Sequence, residues 1–97
     1  MQVENLTYLN HCLAEECGEV TQVLGKIGRF GLHDKNPNTG LVNSSSLAFE
    51  INDIIAVYEM FCEEAGISPE LSRDAIQNKK DRVTEYMKYS QSRGILK

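Results

Sequence analysis

The sequence has no long apolar stretch: its apolar runs are at most six residues long. A helix that spans a bilayer needs about 20 apolar residues. The N-terminus also has no basic region followed by an apolar one, which is the pattern of a secretion signal. We therefore expect no membrane segment, no export, and a cytoplasmic location.

The chain also lacks an excess of basic residues. It carries 14 Asp and Glu against 10 Lys and Arg, for a net charge of -4 and a pI near 5.1. Such a chain has no overall positive field to attract a phosphate backbone. We therefore do not expect it to bind nucleic acids.

Cysteines are few, and their number is odd. Cys12, Cys17 and Cys62 form no C-x-x-C motif and accompany no histidine pair at zinc-finger spacing. Without an export signal they are expected to be reduced thiols. Cys12 and Cys62 have apolar neighbours and are predicted to be small core side chains.

Only two prolines and seven glycines interrupt the 97 residues, which favours long helices. Residues 3–30 have apolar positions at helical spacing, and residues 31–46 form a polar loop that ends in three candidate N-cap serines. Residues 47–65 form a second helix closed by Gly66. A third helix is predicted to open at Ser68 and Pro69 and to end near residue 90.

These elements predict an all-α fold in one domain, residues 1–97, with three long helices packed as a bundle. A chain this short buries only roughly 60 to 65% of its unfolded surface, so its own core is marginal. We therefore expect a homodimer or homotetramer in which a second chain completes a four-helix core.

Two glutamates interrupt the apolar face of the first helix or lie beside it. At about 100° per residue with Leu9 at zero, Leu13 falls near +40° and Val20 near +20°. Glu16 falls near -20°, in the middle of this stripe. Glu19 is one turn further along the helix. A carboxylate in the place of a leucine predicts a site inside the bundle.

The second helix repeats this spacing with Glu50 and Asp53. Four carboxylates in a bundle interior repel one another and lose hydration unless a cation compensates them. Ligands that are all oxygen favour Mg²⁺, with Mn²⁺ as a substitute. Glu63 and Glu64 have no acidic residue three positions further on and are assigned to solvent.

Two motifs resemble those of a known family. Residues 15–19 have the sequence Glu-Glu-Cys-Gly-Glu, and residues 50–53 have the sequence Glu-Ile-Asn-Asp. They match the EExxE and ExxD signature of the MazG-like, all-α nucleoside triphosphate pyrophosphohydrolases. Residues 26–32, Lys-Ile-Gly-Arg-Phe-Gly-Leu, are similar to those of the short, single-domain members found in bacteria and bacteriophages.

The resemblance implies Mg²⁺-dependent hydrolysis of a nucleoside triphosphate to a monophosphate and pyrophosphate, in a bacterial cell or a phage-infected host. Carried over by motif, the metal ligands are Glu16, Glu19, Glu50 and Asp53, and Glu15 orients or deprotonates the attacking water. A purine deoxynucleotide such as dGTP is the substrate that the phage-like resemblance suggests.

The substrate's phosphates or sugar need cationic or polar partners. With Leu71 at zero, Asn78 and Arg82 share one face of the third helix, and Lys79 lies at its edge. These three are predicted to contact the substrate. Lys26 and Arg29, beyond Glu19 on the first helix, are secondary candidates.

Two other classes of protein remain open. A carboxylate-bridged di-metal protein also holds glutamates inside a bundle, but its sites need Glu-x-x-His pairs, and neither Glu16 nor Glu50 has one. A non-catalytic assembly module that binds a metal or nucleotides is the third possibility. Nucleotide-dependent stabilisation without turnover would favour it.

Overall fold

A computed structural model describes residues 3–97, and within that range the chain forms three helices and no strand. Helix α1 spans Asn5–Phe30, α2 spans Asn43–Ala65 and α3 spans Arg73–Ser92. The predicted all-α class with three long helices is confirmed. None of the helices in the described part is long and apolar enough to cross a membrane.

Helices α1 and α2 pack against each other as an antiparallel pair, called here the α1–α2 hairpin. At one end the side-chain amide of Asn43 donates to the carbonyl of Gly31 over 2.9 Å. At the other end Tyr8 and Met60 line one cavity. This pairing brings the middle of α1, where Glu16 lies, against the middle of α2.

The core of the hairpin is small. Among the described apolar residues, only Val23, at 8% exposure, and Cys62, at 0%, are buried. Leu9, Leu13 and other stripe residues of α1 are half-buried. The predicted burial of Cys62 is confirmed, whereas Cys12 is half-buried and therefore lies at the margin of the core.

The second helix begins four residues earlier than predicted. Asn43 and the three serines form its first turn instead of the end of the loop, and Val42 precedes the helix without a side-chain cap. Asn43 is 3% exposed and bonded to Gly31, so a contact with α1 fixes this helix start. Gly66 closes the helix as predicted, in the left-handed conformation with φ 70°.

The third helix begins later than predicted, at Arg73 rather than near Pro69. Ser72 is its N-cap, and its hydroxyl oxygen accepts a hydrogen bond from the backbone N–H of Ala75. The backbone N–H of Glu70 donates to the hydroxyl of Tyr58 on α2. This contact holds the connection before α3 in a non-helical path.

Helix α3 packs against neither α1 nor α2 of its own chain. Of its residues only Ser90 is half-buried, and all others are exposed. The Cα radius of gyration is 17.3 Å, compared with about 12.5 Å for a compact chain of this length. The expected three-helix bundle is therefore not formed within one chain, because α3 extends away from the hairpin.

Candidate metal centre

The four carboxylates predicted to meet are brought together by the α1–α2 hairpin. Glu16 and Glu19 lie one turn apart on α1, and Glu50 and Asp53 lie one turn apart on α2. One carboxylate oxygen from each residue lies within 4.8 Å of the others. We call these four residues the carboxylate cluster.

Two members of the carboxylate cluster are half-buried and two are exposed. Glu16 and Glu50 are the half-buried pair, and they occupy the packed faces of their helices. The Oε2 atom of each is buried without a hydrogen-bond partner. A buried acceptor with no donor is costly, so these two oxygens are suited to an external partner.

Electrostatics in the cluster disfavour the charged carboxylates. Desolvation raises the pKa of Glu16 above its ordinary value, and the nearby carboxylates of Glu19 and Asp53 raise it further. The pKa of Glu50 is raised in the same way, first by desolvation and then by Glu19. Both shifts therefore come first from desolvation and then from the neighbouring carboxylates.

The donor set fits a hard divalent cation. All four side chains offer carboxylate oxygens, which Mg²⁺ and Mn²⁺ prefer, and none of the four offers nitrogen or sulfur. A cation between them would neutralise the repulsion and give the two orphaned oxygens a partner. The residues present therefore fit the predicted metal.

The other predicted residues of α1 lie on the same helix as Glu16 and Glu19 but are not members of the cluster. Glu15 is exposed and is not one of the four converging carboxylates. Lys26 is half-buried two turns beyond Glu19. Arg29 is exposed, and its guanidinium carbon lies 5.3 Å from the centre of the Phe30 ring.

The predicted substrate contacts on α3 are not brought to the cluster within one chain. Asn78, Lys79 and Arg82 are all exposed, and their helix does not pack against α1 or α2. Glu63 and Glu64 are exposed at the end of α2, away from the cluster.

A groove beside the cluster was not foreseen from the sequence. It has a volume of about 380 Å³ and runs from Glu19 and Glu50, between α1 and α2, to the loop of residues 31–42. We call it the loop groove. Its further lining residues come from all three segments: Gln22, Val23, Lys26, Asn36, Thr39, Leu41, Ser46 and Phe49.

Hydrogen bonds within the loop hold one wall of the loop groove in place. The backbone N–H of Asn36 donates to the carbonyl of Leu41, and that of Gly40 donates to the carbonyl of Asn36, both over 2.8 Å. Gly40 has φ 75°, which glycine adopts without strain. The one feature of the sequence that could have indicated the loop groove is Phe49, a large aromatic residue directly before Glu50.

Comparisons of the chain with protein-family models, with curated proteins and with solved structures found no match. The resemblance to the MazG-like family therefore remains a prediction that rests on the two acidic motifs.

Proposed function

We propose that the protein is a Mg²⁺-dependent nucleoside triphosphate pyrophosphohydrolase of the MazG-like kind. The observation that carries the proposal is the carboxylate cluster: four acidic side chains within 4.8 Å, two of them with an unpartnered buried oxygen. Their spacing also matches both motifs of the family. The reaction is expected in the cytoplasm of a bacterial cell or a phage-infected host.

In the proposed reaction, water attacks the α-phosphorus and the bond from that phosphorus to the bridging oxygen breaks. The products are a nucleoside monophosphate and pyrophosphate. Bound divalent ions would neutralise phosphate charge and acidify water. The cluster carboxylates hold the ions, and a carboxylate oxygen of Glu15 accepts the proton of the attacking water.

We propose further that the protein self-associates through α3. An apolar stripe on this helix, formed by Ile76, Val83 and Met87, is exposed in the single chain. Helix α3 carries five basic and three acidic residues, whereas α2 carries five acidic and no basic residues. The hairpin of a second copy is therefore a partner of complementary charge.

Self-association in this form would also serve the reaction. A homodimer or homotetramer whose α3 packs on a neighbouring hairpin would complete a four-helix core. Lys79, which lies about 60° from this stripe, would then be close to the phosphates or sugar of a substrate held by the other chain. Asn78 and Arg82 lie about 160° and 120° from the stripe, so they remain predicted substrate contacts that this packing alone would not supply. Lys26 and Arg29 remain candidate substrate contacts from the same chain.

The reaction is tested by incubating the protein with canonical and modified nucleoside triphosphates and Mg²⁺ and measuring released pyrophosphate. Glu19→Gln and Asp53→Asn are expected to lower turnover by at least about 100-fold, because even the loss of a residue that supports a metal ligand costs 10- to 100-fold. Glu63→Gln removes a carboxylate of α2 outside the cluster and should leave turnover unchanged.

Equal effects of the Glu19→Gln and Glu63→Gln variants would contradict the site assignment. Failure of the wild-type protein to release pyrophosphate from any triphosphate would overturn the proposed reaction. Nucleotide-dependent stabilisation without turnover would instead favour the non-catalytic binding module. An oxo-bridged iron absorbance would favour the di-metal class.

A further inference from the structure

We infer that the loop groove is a nucleoside-binding subsite that prefers nucleobases with a carbonyl oxygen, namely guanine, thymine and uracil. This inference rests on the proposed function, because it assumes that the phosphates lie at the carboxylate cluster. The loop groove would receive the sugar and the base, and its hydrogen-bond donors would select the base.

The dimensions of the groove suit a nucleoside. Its volume of about 380 Å³ lies in the usual range for small-molecule sites, about 300 to 1,000 Å³. Glu19 at one end and Lys26 at the other are seven residues apart, which is about 10.5 Å along the helix axis. A nucleotide with its phosphates at the cluster therefore extends its sugar and base towards the loop.

Phe49 supplies a stacking surface in this groove. Its side chain is 56% exposed although it lies directly beside the half-buried Glu50. An exposed aromatic ring at a cavity wall offers its face for stacking. Stacking of a base on an aromatic ring is favourable for every base, so Phe49 contributes affinity rather than selection.

Asn36 and Lys26 supply the hydrogen-bond donors that select the base. The Oδ1 atom of Asn36 accepts a hydrogen bond of 2.8 Å from the backbone N–H of Asn38. This bond assigns the amide orientation, and the Nδ2 donor of Asn36 makes no hydrogen bond within residues 3–97. Lys26, whose Nζ group is also a donor, lines the same cavity.

Two side chains with donor groups line the groove, and donors match a base edge with acceptors. Guanine presents O6 and N7, and thymine and uracil present O4. Adenine and cytosine present an amino group at the corresponding position, which would place donor against donor. A site built from donors therefore disfavours the amino bases because its half-buried donors would remain unpaired.

Binding of non-hydrolysable α,β-imido deoxynucleoside triphosphates, measured by calorimetry with Mg²⁺, tests the subsite. The wild-type protein should bind the dGTP and dTTP analogues about 10-fold more tightly than the dATP and dCTP analogues. Phe49→Ala should weaken all four by about 10-fold. Binding of inorganic tripolyphosphate, which has no nucleoside, should change less than about twofold.

Two further variants sharpen the test. Asn36→Asp keeps the oxygen that accepts from Asn38 and replaces only the Nδ2 donor, so the loop should stay folded while the preference for carbonyl bases disappears. Tyr8→Ala removes an equally exposed aromatic side chain from a different cavity of the hairpin. It should leave all affinities unchanged.

The outcomes separate this inference from the proposed reaction. The subsite is overturned if the protein binds all four bases with equal affinity. It is also overturned if Phe49→Ala weakens the nucleotides and tripolyphosphate equally. Either result stands even if the protein releases pyrophosphate from true triphosphates. The predicted binding pattern without any pyrophosphate release supports the subsite and overturns the reaction. Absence of nucleotide binding by the wild-type protein overturns both.

Discussion

Dilution of the protein is expected to unfold α3 before it unfolds the α1–α2 hairpin. Helix α3 has no packing partner in its own chain, and most of the stability of a helix in a protein comes from tertiary packing of its amphipathic face. Its helix depends on its Ser72 cap and on local contacts such as the hydrogen bond from Gln77 to Asp81. In the proposed self-association, a second copy of the chain supplies most of its stability.

The size of the effect follows from the helix lengths. Helices α1, α2 and α3 have 26, 23 and 20 residues, so α3 carries roughly 29% of the helix. We expect circular dichroism at 222 nm to fall by up to about that fraction in a dilution series that crosses the dissociation constant. Light scattering on the same samples should show the change from oligomer to monomer over the same range.

A matched pair of variants tests the apolar stripe on α3. Val83 is 40% exposed in the single chain, and Glu85 lies two residues away, about 200° around the helix. Val83→Ser should shift the transition to higher protein concentration, whereas Glu85→Ser should not. Self-association through α3 would be refuted by a monomer that keeps its full helix content at every concentration. Equal effects of the two variants would refute the role of the apolar stripe.

Three further predictions concern the hairpin. Because the pKa of Glu16 is raised in the folded chain, its protonated form stabilises the fold below pH 4.5, and this stabilisation is lost as pH rises through the folded pKa. Thermal melts in EDTA should show the decline in stability, and Glu16→Gln should reduce it. Mn²⁺ at 100 times its dissociation constant should add about 2.7 kcal/mol to the free energy of unfolding, which corresponds to a rise in Tm of at least about 10 °C. The Glu50→Gln variant should show no such rise. Asn43→Ala should lower the free energy of unfolding, measured by chemical denaturation, by about 1 to 2 kcal/mol because it removes a buried hydrogen bond to Gly31. Asn52→Ala, at an exposed position of α2, should lower it little.

Helical periodicity was sufficient to predict the carboxylate cluster. Glu16 falls in the apolar stripe of α1, and the same acidic spacing recurs at Glu50 and Asp53 on α2. Once two amphipathic helices are joined by a short loop, their apolar faces must meet, so polar residues on those faces meet as well. The four side chains converge for this reason.

The helix starts could not be predicted in the same way, because contacts between distant residues set them. Asn43 bonds to Gly31 across the hairpin, and this contact draws the serines after it into α2. The hydroxyl of Tyr58 accepts from Glu70, and α3 then begins only at Ser72 and Arg73. Local propensity contains no information on either contact.

Spacing along the chain thus decided the fold class, the apolar faces and the acidic residues that meet between α1 and α2, because these depend on periods of three and four residues. Tertiary packing decided the loop groove and the detachment of α3 from the hairpin. Both depend on how the loop of residues 31–42 folds back and on which surfaces find a partner, and neither is encoded in the periodicity of a single helix.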